Sequence, residues 1–206
     1  MADATRGSIK NARADQPCRI AILGDSLTAG YGVAPDDALP AKLADALKKS
    51  GFACAIADAG VSGDTSAGGL SRLDWVLADK PTHLIVELGG NDGLRALPVE
   101  ELERNLAAII ERAQSARAKV ALLGIVAPPN LGAAYTDAFK AVFPRLAARF
   151  DIPLYPFLLG GIITDTNLMQ ADRIHPNARG VAEMTKNILS FVTSWLNATG
   201  VAGESH

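Results

Sequence analysis

The residue types needed for acyl transfer at a carbonyl carbon are all present in this chain, in segments far apart along it. Ser26 lies in Gly24-Asp25-Ser26-Leu27-Thr28-Ala29, directly after the apolar run Ile20-Ala21-Ile22-Leu23. A serine hydroxyl is a weak nucleophile at neutral pH and needs a base within hydrogen-bond reach. The chain has three histidines. His206 is the last residue, and His83 opens an apolar run at the end away from the Ser26 side, where a packed or surface histidine is expected. His175 remains, in Asp172-Arg173-Ile174-His175-Pro176, with its backbone biased toward extended geometry by the following proline. Asp172 can accept a hydrogen bond from Nδ1–H of His175, fix the tautomer so that Nε2 faces Ser26, and stabilise the imidazolium that forms.

The developing oxyanion needs preorganised donors. The candidates are the backbone N–H groups of Ser26 and Gly63 and the side-chain amide of Asn91. Gly63, in Gly60-Val61-Ser62-Gly63-Asp64-Thr65, lets backbone approach a ligand where no Cβ intervenes. Asn91 follows Gly89-Gly90 and also fits a turn-forming asparagine, as Gly63 fits a tight turn. Asp25, Asp64 and Asp92 are read as structural, Asp25 holding the Ser26 turn by accepting local backbone N–H groups. No spacing forces two carboxylates together, so a glycosidase pair is not indicated.

Other chemistries lack their motifs. Thr28 stands where the GxSxG elbow needs its second glycine. There is no GxxxxGK[ST] phosphate loop, no GxGxxG after the first apolar run, and no HExxH. No dense His/Cys/Asp spacing points to a metal. No cofactor and no metal are expected.

The elements that must position these residues alternate between two periods. Strand-like runs cover Arg19–Leu23, Ala53–Ala57, His83–Leu88, Lys119–Ile125 and Ile152–Tyr155. Between and after them, apolar residues recur at three and four. A helix is predicted over Asp37–Ser50, with Leu39, Leu43 and Leu47 on one face and Gly51 as its C′ residue. Another is predicted over Pro98–Ala118, with Pro98 at the first helical position. A third covers Gly132–Phe150, kinked at Pro144. The last covers Asn177–Leu196, with Asn177 as N-cap. Strand and helix in alternation make a parallel sheet with helices on both faces, a three-layer α/β/α domain. Such sheets bind ligands beyond the carboxyl ends of their strands. Ser26, Gly63, Asn91 and the Asp172–His175 pair all fall on that rim.

With 206 residues, the length fits one domain, taken as 18–198, between a polar tail at 1–17 and a short C-terminal tail at 199–206. Apolar residues make up 49% and the formal charge is −2, with Lys and Arg scattered, so no nucleic-acid partner is expected. No apolar stretch has the length a bilayer requires. Residues 1–17 lack the apolar segment of a signal peptide, which leaves two readings. The protein is cytoplasmic if the sequence is whole, or periplasmic or secreted if a signal has been removed. Cys18 and Cys54 stand at the same distance ahead of Gly24 and Gly60. A disulfide is geometrically conceivable if their strands are neighbours, but strain across adjacent parallel strands favours two separate buried thiols.

Taken together, GDSLTAGYG, GVSGDT, GGND and DRIHP resemble the four ordered blocks of the GDSL, or SGNH, hydrolase family. ELGGNDGLRAL, Pro128-Pro129-Asn130-Leu131-Gly132 and Leu168-Met169-Gln170-Ala171-Asp172 resemble its bacterial thioesterase I, lysophospholipase and arylesterase branch. The resemblance implies a flavodoxin-like five-stranded sheet of order 2-1-3-4-5 and hydrolysis of esters or thioesters without metal or cofactor. It implies Ser26 as nucleophile, His175 as base, Asp172 as orienter, and Gly63 and Asn91 as oxyanion donors. It also implies export to the periplasm and a mobile wall of the acyl site at Asp92–Leu97.

The expected function is a serine esterase acting on aryl esters and on short to medium acyl chains, with thioesters and lysophospholipids as further substrates of the class. Leu131, Ile174 and Leu94 are the expected apolar lining. The alternatives are a carbohydrate acetylesterase, disfavoured by only 5% aromatic residues, and a catalytically silent flavodoxin-like binding protein. Oligomeric state does not follow from these residues.

Overall fold

The structure, a computed structural model, describes residues 18–203. The expected tail at 1–17, the last residues of the C-terminal tail and His206 lie outside the described residues. Five strands form one parallel sheet in the order β2-β1-β3-β4-β5. They are β1 (Cys18–Gly24), β2 (Cys54–Gly60), β3 (His83–Glu87), β4 (Lys119–Leu123) and β5 (Leu154–Tyr155). β1 and β3 are apolar almost throughout because both of their faces are covered; Ile22, Leu23, Leu84 and Ile85 are fully buried. β2 is an edge strand, and Ala55, Ala57 and Asp58 on it are exposed.

Among the described residues, eight α-helices connect and cover the sheet. They are α1 (Ser26–Ala29), α2 (Leu39–Lys49), α3 (Ser66–Ser71), α4 (Leu73–Ala78), α5 (Gly90–Leu94), α6 (Val99–Ser115), α7 (Ala133–Phe150) and α8 (Ala178–Ala198). The chain moves one way across the sheet from β1 to β2, then the other way through β3, β4 and β5. Right-handed crossovers therefore put α2 on one face and α3, α4, α6 and α7 on the other. The packing agrees: α2 lies on α8, while α6 lies between α3 and α7. Each long helix buries a stripe of the expected period, such as Leu102, Leu106, Ile109 and Ala113 of α6.

The long helices start and end within a few residues of their predicted limits. Pro98 is the N-cap of α6 rather than its first residue, and α7 runs unbroken through Pro144. Asn177 caps α8 as expected, its side chain accepting from the Gly180 N–H at 3.1 Å. At the far end of α8, the Thr199 hydroxyl bonds Nε2 of His83 at 2.9 Å, and Val201 packs on the core.

His83 is packed, one of the two placements expected for it. It is 4% exposed, edge-on to Trp195, and bonded on both ring nitrogens, to Thr82 and Thr199. Burial, with a smaller contribution from Lys119, lowers its pKa from 6.5 to about 4. The unfolded chain therefore binds a proton below pH 6.5 that the folded chain refuses until about pH 4. Stability from this site is complete above pH 6.5 and is lost as pH falls through that window. The unfolding free-energy advantage of wild type over His83→Gln should shrink by roughly 2–3 kcal/mol between pH 7 and pH 4.5. A difference independent of pH would refute the assignment.

Cys18 and Cys54 are bonded, which corrects the favoured reading of two separate thiols. They are register partners at the starts of β1 and β2, and their Cα atoms are 4.6 Å apart, within the span of a disulfide. The bond closes a sequence separation of 36. Loop-closure entropy for a loop of that size sets an upper value of roughly 4 kcal/mol. Denaturant unfolding of oxidised protein against Cys18→Ala/Cys54→Ala should differ by about 2–4 kcal/mol.

Candidate active site

The site lies at the carboxyl ends of β1, β2 and β3, where the three strands deliver three short loops side by side. β1 ends at Gly24, and Ser26 is the first residue of α1. Asp25 is the N-cap of that helix, and its Oδ1 accepts from the Leu27 N–H at 3.0 Å. That is the structural task expected of Asp25. Any side chain at Gly24 would run into the helix: a Cβ there would sit 1.9 Å from Oγ1 of Thr28.

His175 reaches this turn from the loop before α8. Its Nε2 lies 2.8 Å from Oγ of Ser26, and its Nδ1 lies 2.7 Å from Oδ2 of Asp172. The other carboxylate oxygen, Oδ1, accepts from the N–H groups of Ile174 at 2.9 Å and His175 at 3.0 Å. Partial burial raises the Asp172 pKa, but bonds from the His175 ring, the His175 N–H and the Ile174 N–H outweigh it and lower the value to about 2. Asp172 is thus a carboxylate and can only accept, so the imidazole proton sits on Nδ1. Nε2 is left to accept from the Ser26 hydroxyl.

The oxyanion candidates are assembled around the same turn. Gly63 has φ +87°, a conformation that favours glycine, and its carbonyl accepts from Nη2 of Arg95 at 2.8 Å. Nδ2 of Asn91 donates to the Asp64 carbonyl at 2.9 Å and lies 3.3 Å from Oδ2 of Asp25. Asn91 therefore spans from the residue after Gly63 to the residue before Ser26. Asp64 and Asp92 are structural, as expected. Asp64 pairs with Arg72 at 2.6 Å, and Asp92 accepts from the N–H of Ser66 at 2.8 Å and its hydroxyl at 2.5 Å.

Four residues around the site were not singled out in the sequence. Arg72 ties two loops together, bonding Asp64 and, through Nη2, the Gly24 carbonyl at 2.9 Å. The Tyr31 ring lies against that of His175 with centroids 4.6 Å apart. Gln170 donates from Nε2 to the carbonyls of Tyr31 at 2.7 Å and Pro176 at 3.0 Å. Glu87 is the fully buried last residue of β3. The one available signal was a charged residue inside the otherwise apolar run His83–Leu88. Ser26 and His175 lie against Leu27, Tyr31, Val33 and Pro176. Leu94, at the end of α5, and Ile174, in the loop before α8, are exposed, and Leu131 packs half-buried on the core. Among the described residues no group of three or more His, Cys, Asp and Glu could hold a metal ion.

The GDSL-like lipase/acylhydrolase family matches residues 22–182, a span that takes in every residue of this site. The chain belongs to that family. Esterase TesA of Pseudomonas aeruginosa is 41% identical over 168 residues, 81% of this chain and 84% of the relative. Thioesterase 1/protease 1/lysophospholipase L1 of Escherichia coli K12 is 39% identical over 176 residues, 85% of this chain and 79% of the relative. Among solved structures, the psychrotrophic esterase EstA from Pseudoalteromonas sp., inhibited by monoethylphosphonate, superposes with a TM-score of 0.83. It is 36% identical, and the match covers 87% of this chain and 98% of that one. The 2-1-3-4-5 order expected from the four blocks is the order observed.

Proposed function

We propose that this GDSL-like protein hydrolyses carboxylic esters through an acyl-enzyme on Ser26. The observation that carries the reading is the unbroken chain from Asp172 through His175 to Ser26, with bonds of 2.7 and 2.8 Å. Ser26 Oγ attacks the ester carbonyl while Nε2 of His175 takes its proton. The same nitrogen then returns that proton to the departing alcohol or thiol oxygen or sulfur. Asp172 keeps Nδ1 protonated and faces the imidazolium with a negative charge. Water, deprotonated by His175, attacks the acyl carbon, and the acid leaves as Ser26 regains its proton. The Ser26 and Gly63 N–H groups receive the oxyanion at each tetrahedral stage, together with the Asn91 amide once it gives up its longer bond to Asp25. Asn91→Ala should lower kcat by about 10²–10³-fold with KM little changed, the cost of one lost oxyanion donor.

A site built from loops along one sheet rim suits substrates of varied acyl length, aryl esters and thioesters among them. The relatives named as esterase and as thioesterase and lysophospholipase point to the same class. A panel of p-nitrophenyl acetate, octanoate and palmitate, an acyl-CoA and acetylated xylan tests the range. Turnover of the acetate and octanoate esters is the expected result. Turnover of xylan alone would replace this reading with a carbohydrate acetylesterase, and no turnover of any would leave a binding protein.

A further inference from the structure

Beneath the Ser26 turn sits a carboxyl group that the acyl-transfer steps do not use. Glu87 ends β3 and is completely buried. Its Oε2 accepts from the Thr28 hydroxyl at 2.8 Å and from the Asp25 N–H at 3.3 Å. Its Oε1 is buried with no hydrogen-bond partner in the protein. Thr28, itself fully buried, belongs to the single turn of α1 that begins with Ser26. The space for this contact exists because residue 24 is glycine. A Cβ there would lie 2.7 Å from Oε2 of Glu87 as well as against Thr28.

We propose that Glu87 is a positioning residue for the nucleophile, anchoring α1 to β3 through Thr28 and Asp25 and so holding Ser26 Oγ on Nε2 of His175. The inference rests on the esterase reading above. α1 has only four residues, too few to fix its own orientation by helix formation. Asp25 holds it from the N-cap, Asn91 touches Asp25 from one side, and Glu87 supplies the bond from below. Two features make Glu87 the neutral acid. Its Oε1 has no donor to stabilise a charge, and the Asp25 carboxyl next to it is a second acid. Burial, then the Asp25 charge, pushes its pKa well up, against the bonds from Thr28 and Asp25. A neutral acid can keep both bonds at Oε2 without placing two negative charges under the nucleophile.

The test compares Glu87→Gln, Glu87→Met and Thr28→Val with wild type, reading the rate of Ser26 labelling by a fluorophosphonate and the kcat and KM for p-nitrophenyl acetate. Glutamine offers one neutral carbonyl to both donors and should hold the labelling rate within about threefold of wild type. Methionine fills similar space without an acceptor and should slow labelling and kcat about 10- to 100-fold at unchanged KM, as misplacement of a reacting group does. Equal impairment of the glutamine and methionine variants overturns the proposal, and so does wild-type labelling of Glu87→Met. If Glu87→Met does not fold, Thr28→Val decides. Slower labelling at unchanged KM supports the anchor, and labelling at the wild-type rate overturns it. Wild type that fails to label at all would remove the esterase reading and this proposal with it. Normal wild-type labelling beside an unaffected Glu87→Met removes this proposal alone.

Discussion

Ser26→Ala should cost about 10⁵- to 10⁶-fold in kcat on p-nitrophenyl acetate, the scale on which serine hydrolases lose activity without their nucleophile. The substitution removes one oxygen from a residue at the start of a helix whose cap, Asp25, bonds Leu27 rather than Ser26. Folding and thermal stability should therefore stay near wild type, as should binding of ester that is not turned over. Fluorophosphonate labelling should vanish completely, because that probe reports the formation of a bond to Oγ. A variant that still labels, or that keeps more than about a hundredth of wild-type kcat, would place the nucleophile elsewhere, since a missing triad member costs far more than that.

Asp172→Asn is the second large loss, about 10³- to 10⁴-fold in kcat, by analogy with the same change in a serine protease triad. Asparagine is nearly isosteric and can still accept from the Ile174 and His175 N–H groups through its carbonyl. That leaves its amide nitrogen facing Nδ1. A donor there favours the imidazole with its proton on Nε2, which then cannot accept from Ser26. The loss should therefore appear in kcat, with little change in KM or in melting temperature. The pH profile adds a second check. Because hydrogen bonds hold Asp172 near 2, it stays charged throughout the working range, and any acid limb above about pH 4 belongs to other groups. A small effect of Asp172→Asn, or a loss confined to KM, would contradict the assigned tautomer.

The sheet and the long helices were legible because their patterns run long enough to average out exceptions. α6 and α8 repeat their apolar stripes over several turns, and β1, β3 and β4 are apolar over most of their length because both faces of each are covered. The meeting of Ser26, His175 and Asp172 was legible for a different reason: the three carry reactive groups at chain positions where a parallel sheet gathers its loops. The short helices were not legible. α1, α3, α4 and α5 hold four to six residues each, less than two full turns, so no periodicity can form. Arg72 and Gln170 act by bonding backbone carbonyls of distant loops, which leaves no trace in local spacing. Glu87 stood out only as a lone acid in an apolar run, because its partner Thr28 lies 59 positions away in the chain. The disulfide followed from register, which only the folded sheet fixes. Cys18 and Cys54 became partners once β1 lay beside β2 in that alignment.

The bond between Asp172 and its own near neighbours has a consequence for how such a centre can be rebuilt. Oδ1 grips two amides and Oδ2 the ring, all within residues 172–175, so acid and base travel together as one stiff cassette. Shifting that segment changes the gap to Ser26 and the contact with the Tyr31 ring while keeping the bond between Asp172 and His175. An engineer who retunes loop length on either side of the cassette therefore adjusts its reach toward Ser26 and leaves its internal bonds in place.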